Sequence, residues 1–188
     1  MRPSAALHRL HEGAEGFEDG TPDFLGIAAL PAGFALLEKV SMPRLRERVA
    51  ALTSELFARL RQLQHSNGAP RIRLYGPDSL SSRGGTLCFN VLDVHGSCLP
   101  YAQVEIAARE AGISVRGGCF CNPGASEAAF GVDPVRLARC LEEVSDDFHA
   151  RRLSDCLDTE VGAVRASLGL ANNSADLDRL VGLLTSAE

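Results

Sequence analysis

The sequence predicts an α/β protein, with a small sheet and helices packed on it in two layers, preceded by a helical segment. Three observations carry this. Up to about residue 66, apolar residues recur at helical spacing. From about residue 70, short alternating or wholly apolar runs interleave with further helical stripes. The change falls at Ser66-Asn67-Gly68, a helix-ending turn. The expected organisation is an extended segment over 1–22, helices over 23–66 and a small α/β domain over 67–188.

Composition narrows the function classes. The 188 residues are 45% hydrophobic with mean hydropathy near zero, as suits a globular chain with a core. A formal net charge of -5 gives no electrostatic reason to expect nucleic acid. No run of 18 apolar residues occurs, so no membrane span is expected. The first 16 residues have no apolar stretch of signal-peptide length, so the cytoplasm is the expected compartment and its cysteines are expected as thiols. The six cysteines make no Cys-x-x-Cys pair, and Cys119-x-Cys121 with His149 is not spaced as a structural zinc site. No metal is expected.

In chain order, Phe17-Glu-Asp-Gly-Thr-Pro-Asp-Phe24 is turn chemistry, with Thr21 or Asp23 placed to cap a following helix. Gly20-Thr21 at a helix start also has the donors of an anion contact. Phe24 to Val40 is apolar on most sides and reads as a largely buried helix that Pro31 kinks or splits. Ser41 and Pro43 open a second helix, where Leu45, Val49, Leu52, Leu56, Leu60 and Leu63 form one stripe. Arg71 to Tyr75 alternates like a strand, and Thr86 to Leu92 reads as a buried strand. Tyr101 to Ala111 is a helix that Gly112 stops.

The next stretch, Gly112-Ile-Ser-Val-Arg-Gly-Gly-Cys-Phe-Cys-Asn-Pro-Gly-Ala125, organises the rest. It reads as a strand over Ile113–Arg116 running into a glycine loop that presents Cys119 and Cys121. A thiol beside a guanidinium is favoured as thiolate, the nucleophilic form. The residues leave two readings open, a reactive sulfur or inert loop cysteines. Asp133-Pro134 then starts a helix whose stripe includes Cys140, expected as a packed thiol. Gly162 to Gly169 is a strand, and a final helix capped by Asn173 or Ser174 carries Leu177, Leu180, Val181 and Leu184. Arg165 is a charge in the middle of that half-buried strand. It calls for an internal salt bridge or for a bound carboxylate.

Three separated motifs fall in one order: Phe17-Glu-Asp-Gly-Thr-Pro-Asp, Val115-Arg-Gly-Gly-Cys-Phe-Cys, and Val164-Arg-Ala-Ser-Leu-Gly-Leu with Asn172-Asn. In this the chain resembles the C-terminal part of class V, cysteine-desulfurase-like pyridoxal-phosphate enzymes. Gly-Cys-Phe-Cys-Asn-Pro-Gly-Ala is similar to the molybdenum-cofactor sulfurase branch. The resemblance implies the small domain of a fold-type I enzyme, preceded by helices of its large domain. It implies roles: Cys121 as the persulfide-forming cysteine, Arg165 as the substrate-carboxylate ligand, Arg116 beside the cysteine loop, and Gly20 and Thr21 reaching a partner's cofactor phosphate. It implies pyridoxal 5'-phosphate as cofactor, an amino acid (cysteine) as substrate, and a homodimer or a large-domain partner. In such enzymes the cofactor labilises the substrate and the thiolate takes the sulfur, leaving alanine. The chain departs from the pattern in one respect. The Schiff-base lysine precedes the Gly-Thr-Pro segment in the family, whereas the only lysine here is Lys39, downstream of it. A non-catalytic sulfur carrier or partner-binding module, or an aminotransferase with an incidental cysteine, are the alternative readings.

Overall fold

The computed structural model describes residues 12–17, 20–81, 83–120, 123–144 and 149–186. Two compact units follow each other, Met1–Met42 and Pro43–Glu188.

The first unit holds a short 3-10 helix, Gly13–Phe17, and helix α1, Phe24–Val40. Asp23 is the N-cap, its carboxylate accepting from the Gly26 amide at 2.9 Å, so Thr21 is not the capping side chain. α1 runs through Pro31 as one element, where a kink or split was expected. The expected burial does not hold either. No residue of α1 is buried, and Phe24 and Leu25 are 68% and 85% exposed. An all-round apolar pattern indicates that a helix needs cover, and cover is a property of its neighbours.

In the second unit, α2 (Met42–Gln62) turns Leu52, Leu56, Phe57 and Leu60 onto the sheet. The strands are β1 (Ile72–Tyr75), β2 (Thr86–Val91), β3 (Arg116–Gly118) and β4 (Ala163–Ser167), in the order β1-β2-β4-β3 and antiparallel throughout. Helices α3 (Tyr101–Glu110) and α7 (Ser174–Ser186) complete the layer beside α2. The main core joins Leu56 and Leu60 of α2, Leu87 and Phe89 of β2, Val164 of β4, and Leu177 and Leu184 of α7. All seven are 1% exposed or less. The three helices therefore cover one sheet face, and the side chains that alternate with Leu87, Phe89 and Val164 lie on the other.

The strand expected over Ile113–Arg116 pairs three residues later, over Arg116–Gly118. The glycines enter the ladder because α3 comes too close for a side chain. A Cβ on Gly117 would lie 2.5 Å from the Tyr101 ring, and one on Gly162 would lie 2.3 Å from it. Two helices went unforeseen: α4 (Pro123–Phe130), where a turn was read at Asn122-Pro123-Gly124, and α6 (Ala150–Leu157). Between them lies α5 (Pro134–Glu143), capped by Asp133. α5 and α6 share a second, smaller core of Cys140, Val144, Leu153, Leu157 and Val161. Cys140 is not the packed thiol expected of it but is disulfide-bonded to Cys156, with Cα atoms 5.8 Å apart. Helical spacing places Cys140 on the apolar stripe of α5, and only the meeting of α5 with α6 places Cys156 opposite.

Candidate functional site

The sheet face away from α2, α3 and α7 carries one row of side chains across all four strands. The register pairs Tyr75 of β1 with Cys88 of β2, Cys88 with Arg165 of β4, and Arg165 with Arg116 of β3. Paired residues share a face, so an aromatic ring, a thiol and two guanidiniums stand side by side.

Two like charges directly opposite each other on adjacent strands are unfavourable. Neither Arg116 nor Arg165 forms a salt bridge among the described residues, and Nε of Arg165 is buried without a hydrogen bond. Of the two readings open for Arg165, the internal salt bridge is absent among these residues. A half-buried guanidinium beside a second one suits a planar anion taken by a pair of N–H donors.

Cys88 lies between Tyr75 and Arg165. Burial pushes its thiol up to about 11, with Arg165 pulling the other way. Burial first, and then the neighbouring Cys98, push Tyr75 up to about 12. Both groups are neutral at pH 7, so Cys88 is a wall of the site and not its nucleophile. Each holds its proton more tightly folded than unfolded, where the ordinary values are 9.0 and 10.0. Their stabilisation is therefore complete below pH 9 and is lost as pH rises through the folded values. The urea midpoint is expected to fall from pH 9 upward, with partly exposed Cys88 contributing about 1 kcal/mol of the loss. Cys88→Ala should flatten the part between pH 9 and 11, and a midpoint that stays level to pH 11 in the native protein would contradict this assignment.

The row connects to the cysteine segment through aromatic rings. Tyr75 meets Phe120 edge-on at 6.4 Å between centroids and Phe130 edge-on at 5.2 Å, while Phe120 and Phe130 stack at 5.2 Å. Such contacts are each worth about 0.5–1.5 kcal/mol beyond area. They fix the residue before Cys121 and the last residue of α4 to the edge strand of the sheet. Tyr75 and Phe130 were not singled out from the sequence. Alternation in Arg71–Tyr75 assigned Tyr75 to a face, but nothing local marked its ring partners. On its other side, the Cys119-Phe120 segment borders a cavity of about 200 Å³. Its wall includes Val132, Leu137, Leu141, Leu153 and Val161 and is almost wholly apolar.

The remaining residues of interest are placed separately. Cys121 lies outside the described residues. Gly20 and Thr21 belong to the first unit, where both are exposed and Gly20 has φ +85°. Lys39 is exposed in the last turn of α1, also in the first unit. An exposed lysine at a helix end is not held as a Schiff-base lysine needs to be. The residues described thus fit an anion-binding half-site but do not by themselves fit pyridoxal phosphate.

Comparison with known proteins identifies the family. The family model for aminotransferase class-V matches residues 2–180. Molybdenum cofactor sulfurase of Bos taurus is 36% identical over 172 residues, which are 87% of this chain and 19% of that protein. The Drosophila melanogaster protein of the same name is 34% identical over 186 residues, covering 91% of this chain and 23% of its own length. The chain thus spans about a fifth to a quarter of these curated relatives. Among solved structures, the apo cysteine desulfurase of Thermococcus onnurineus NA1 superposes with a TM-score of 0.59 at 22% identity, over 98% of this chain and 36% of that one. The cysteine desulfurase CsdA of Escherichia coli gives 0.54 at 18% identity, over 98% and 35%. With a family model matched along nearly its whole length and the fold of a fold-type I fragment, this chain belongs to the class-V aminotransferase family.

Proposed function

We propose that the chain is the substrate-carboxylate and sulfur-accepting part of a cysteine desulfurase- or sulfurase-like transferase. The observation that carries this reading is the pair Arg165–Arg116, without an ion-pair partner among the described residues and in one row with the ring that anchors Phe120, the residue before Cys121. In this reading Arg165 takes the carboxylate of the amino-acid substrate, cysteine, and Arg116 adds a second positive charge. Cys121 accepts the sulfur as a persulfide. Pyridoxal phosphate supplies the carbanion-stabilising chemistry of such enzymes when bound. Its lysine lies outside this sequence, in a large domain. Gly20 and Thr21, exposed ahead of α1, are available to a cofactor phosphate in a dimer.

The misfit of Lys39 favours a second reading, a sulfur carrier that performs no cysteine chemistry of its own. The carrier reading needs Cys121 to take a sulfane sulfur from a donor persulfide. Its thiolate attacks the outer sulfur of a donor persulfide, the donor S–S bond breaks, and the donor leaves as a thiolate.

The test uses the isolated chain with a separate desulfurase preloaded from ³⁵S-cysteine. Label should appear on Cys121, be released by dithiothreitol and be lost in Cys121→Ser. Without the donor the chain should release no sulfide from cysteine, with or without added pyridoxal phosphate. Label absent from Cys121 would defeat the carrier reading. Cysteine-dependent sulfide release that requires Cys121 would show instead that the chain is catalytically sufficient.

A further inference from the structure

Three sulfurs share the small core beneath the cysteine segment. Cys140 of α5 is 3% exposed and bonded to Cys156 of α6, while Cys119 packs against the same cluster. The cavity beside Cys119 and Phe120 is walled by Leu137 and Leu141 of α5 and by Leu153 of α6. The disulfide therefore joins two of the helices that line this wall, to which α4 adds Ser126 and Glu127. Position 119 is two residues from Cys121, so the wall borders the segment to which the sulfur chemistry is assigned.

We propose that Cys140–Cys156 is a redox modification site whose state sets access to the cavity beside Cys119. The pair takes low-molecular-weight thiols and disulfides of the glutathione class. The two sulfurs differ in access, since Cys140 is buried and Cys156 is half-buried. Opening starts at the accessible sulfur. A thiolate attacks Sγ of Cys156, the Cys140–Cys156 bond breaks, and Cys140 leaves as a thiolate that takes a proton. A second thiol then displaces Cys156 from the mixed disulfide, releasing the small disulfide. Closing is the reverse: the dithiol is oxidised and one glutathione disulfide is reduced to two glutathione molecules.

Closed, the bridge ties α5 to α6 across 16 residues of sequence and holds the wall in place. Open, the two helices are held by the apolar side chains of this small cluster and by one exposed hydrogen bond, from Arg136 to the Cys156 carbonyl at 3.3 Å, and local opening becomes easier. The purpose of the device, control over the segment bearing Cys121, rests on the sulfur-transfer reading. The device itself does not.

The test is differential alkylation of the whole chain. Protein equilibrated in glutathione buffers of varying ratio is pulsed with iodoacetamide, then reduced and treated with N-ethylmaleimide, and each cysteine is read by peptide mass. Cys140 and Cys156 should change label together as the buffer becomes reducing. Cys119 should be carboxamidomethylated at least ~10-fold faster in the open form. Cys88 and Cys98, outside this cluster, should keep their rates. Cys140→Ser/Cys156→Ser should give the fast Cys119 rate without reductant; if that variant does not fold, the reduced native chain supplies the comparison. Alkylation of Cys140 and Cys156 as independent thiols in oxidised protein would overturn the proposal. So would a Cys119 rate indifferent to the bridge. Failure of Cys121 to accept sulfur would leave these rates untouched, which separates this proposal from the function above.

Discussion

Arg165→Ala is expected to lower kcat/KM for cysteine by about 30-fold or more in the assembly that includes a lysine-bearing domain. Losing one partner of a desolvated guanidinium–carboxylate contact costs about 2–5 kcal/mol. Arg165→Lys should not restore the loss, because a point charge cannot reproduce the planar pair of donors. Stability separates this role from a structural one. Removing one of two facing guanidiniums relieves a repulsion of about 0.2–1 kcal/mol, offset by lost stem packing. The urea midpoint of Arg165→Ala should therefore stay close to that of the native chain. Arg116, exposed at the sheet edge, should give a smaller loss when replaced by alanine. An Arg165→Ala chain that unfolds readily, or an assembly that keeps its kcat/KM, would remove Arg165 from the site.

Gly162→Ala is expected to destabilise the second unit by about 1–3 kcal/mol, the usual cost of overpacking. Its added carbon would stand 2.3 Å from the ring of Tyr101 and 3.2 Å from the backbone carbon of Gly118, so neither helix nor strand has room to yield. The same residue gives its carbonyl to Asn90, which is fully buried and donates to it at 3.0 Å. Moving Gly162 therefore also disturbs a buried hydrogen bond, whose loss leaves an unsatisfied group. The cost should be smaller in a Tyr101→Ala background, since the two changes meet at one contact. Urea unfolding of the two single variants and the double variant checks this. Additive costs would mean that Tyr101 does not set the spacing of β3 and β4.

Much of the fold was legible locally. The stripe of α2, the cap of α5, the alternation of β1 and the leucines of α7 follow from period and capping chemistry, and each element formed near its expected place. The failures share one cause. The strand at Ile113–Arg116 shifted to Arg116–Gly118 because pairing with β4 selects the register, and the ring of Tyr101, far away in sequence, makes glycine necessary there. α1 was read as buried because its composition asks for cover, yet composition does not supply the covering element.

The candidate site divides in the same way. Local anomaly in the sequence singled out Arg165, a charge inside a strand, and both Cys119 and Cys121, thiols in a glycine loop beside Arg116; the choice of Cys121 and the role of Arg116 come from the resemblance. The sequence also determined the family, since three motifs in one order are a property of the linear chain. Only the tertiary structure put Arg165 opposite Arg116 and beside Cys88, set Tyr75 against Phe120 and Phe130, and brought Cys140 to Cys156. Those pairings join residues that local chemistry treats as unrelated. They exist because strand register, fixed to within one residue by the buried face, and helix packing on the small core decide which side chains become neighbours.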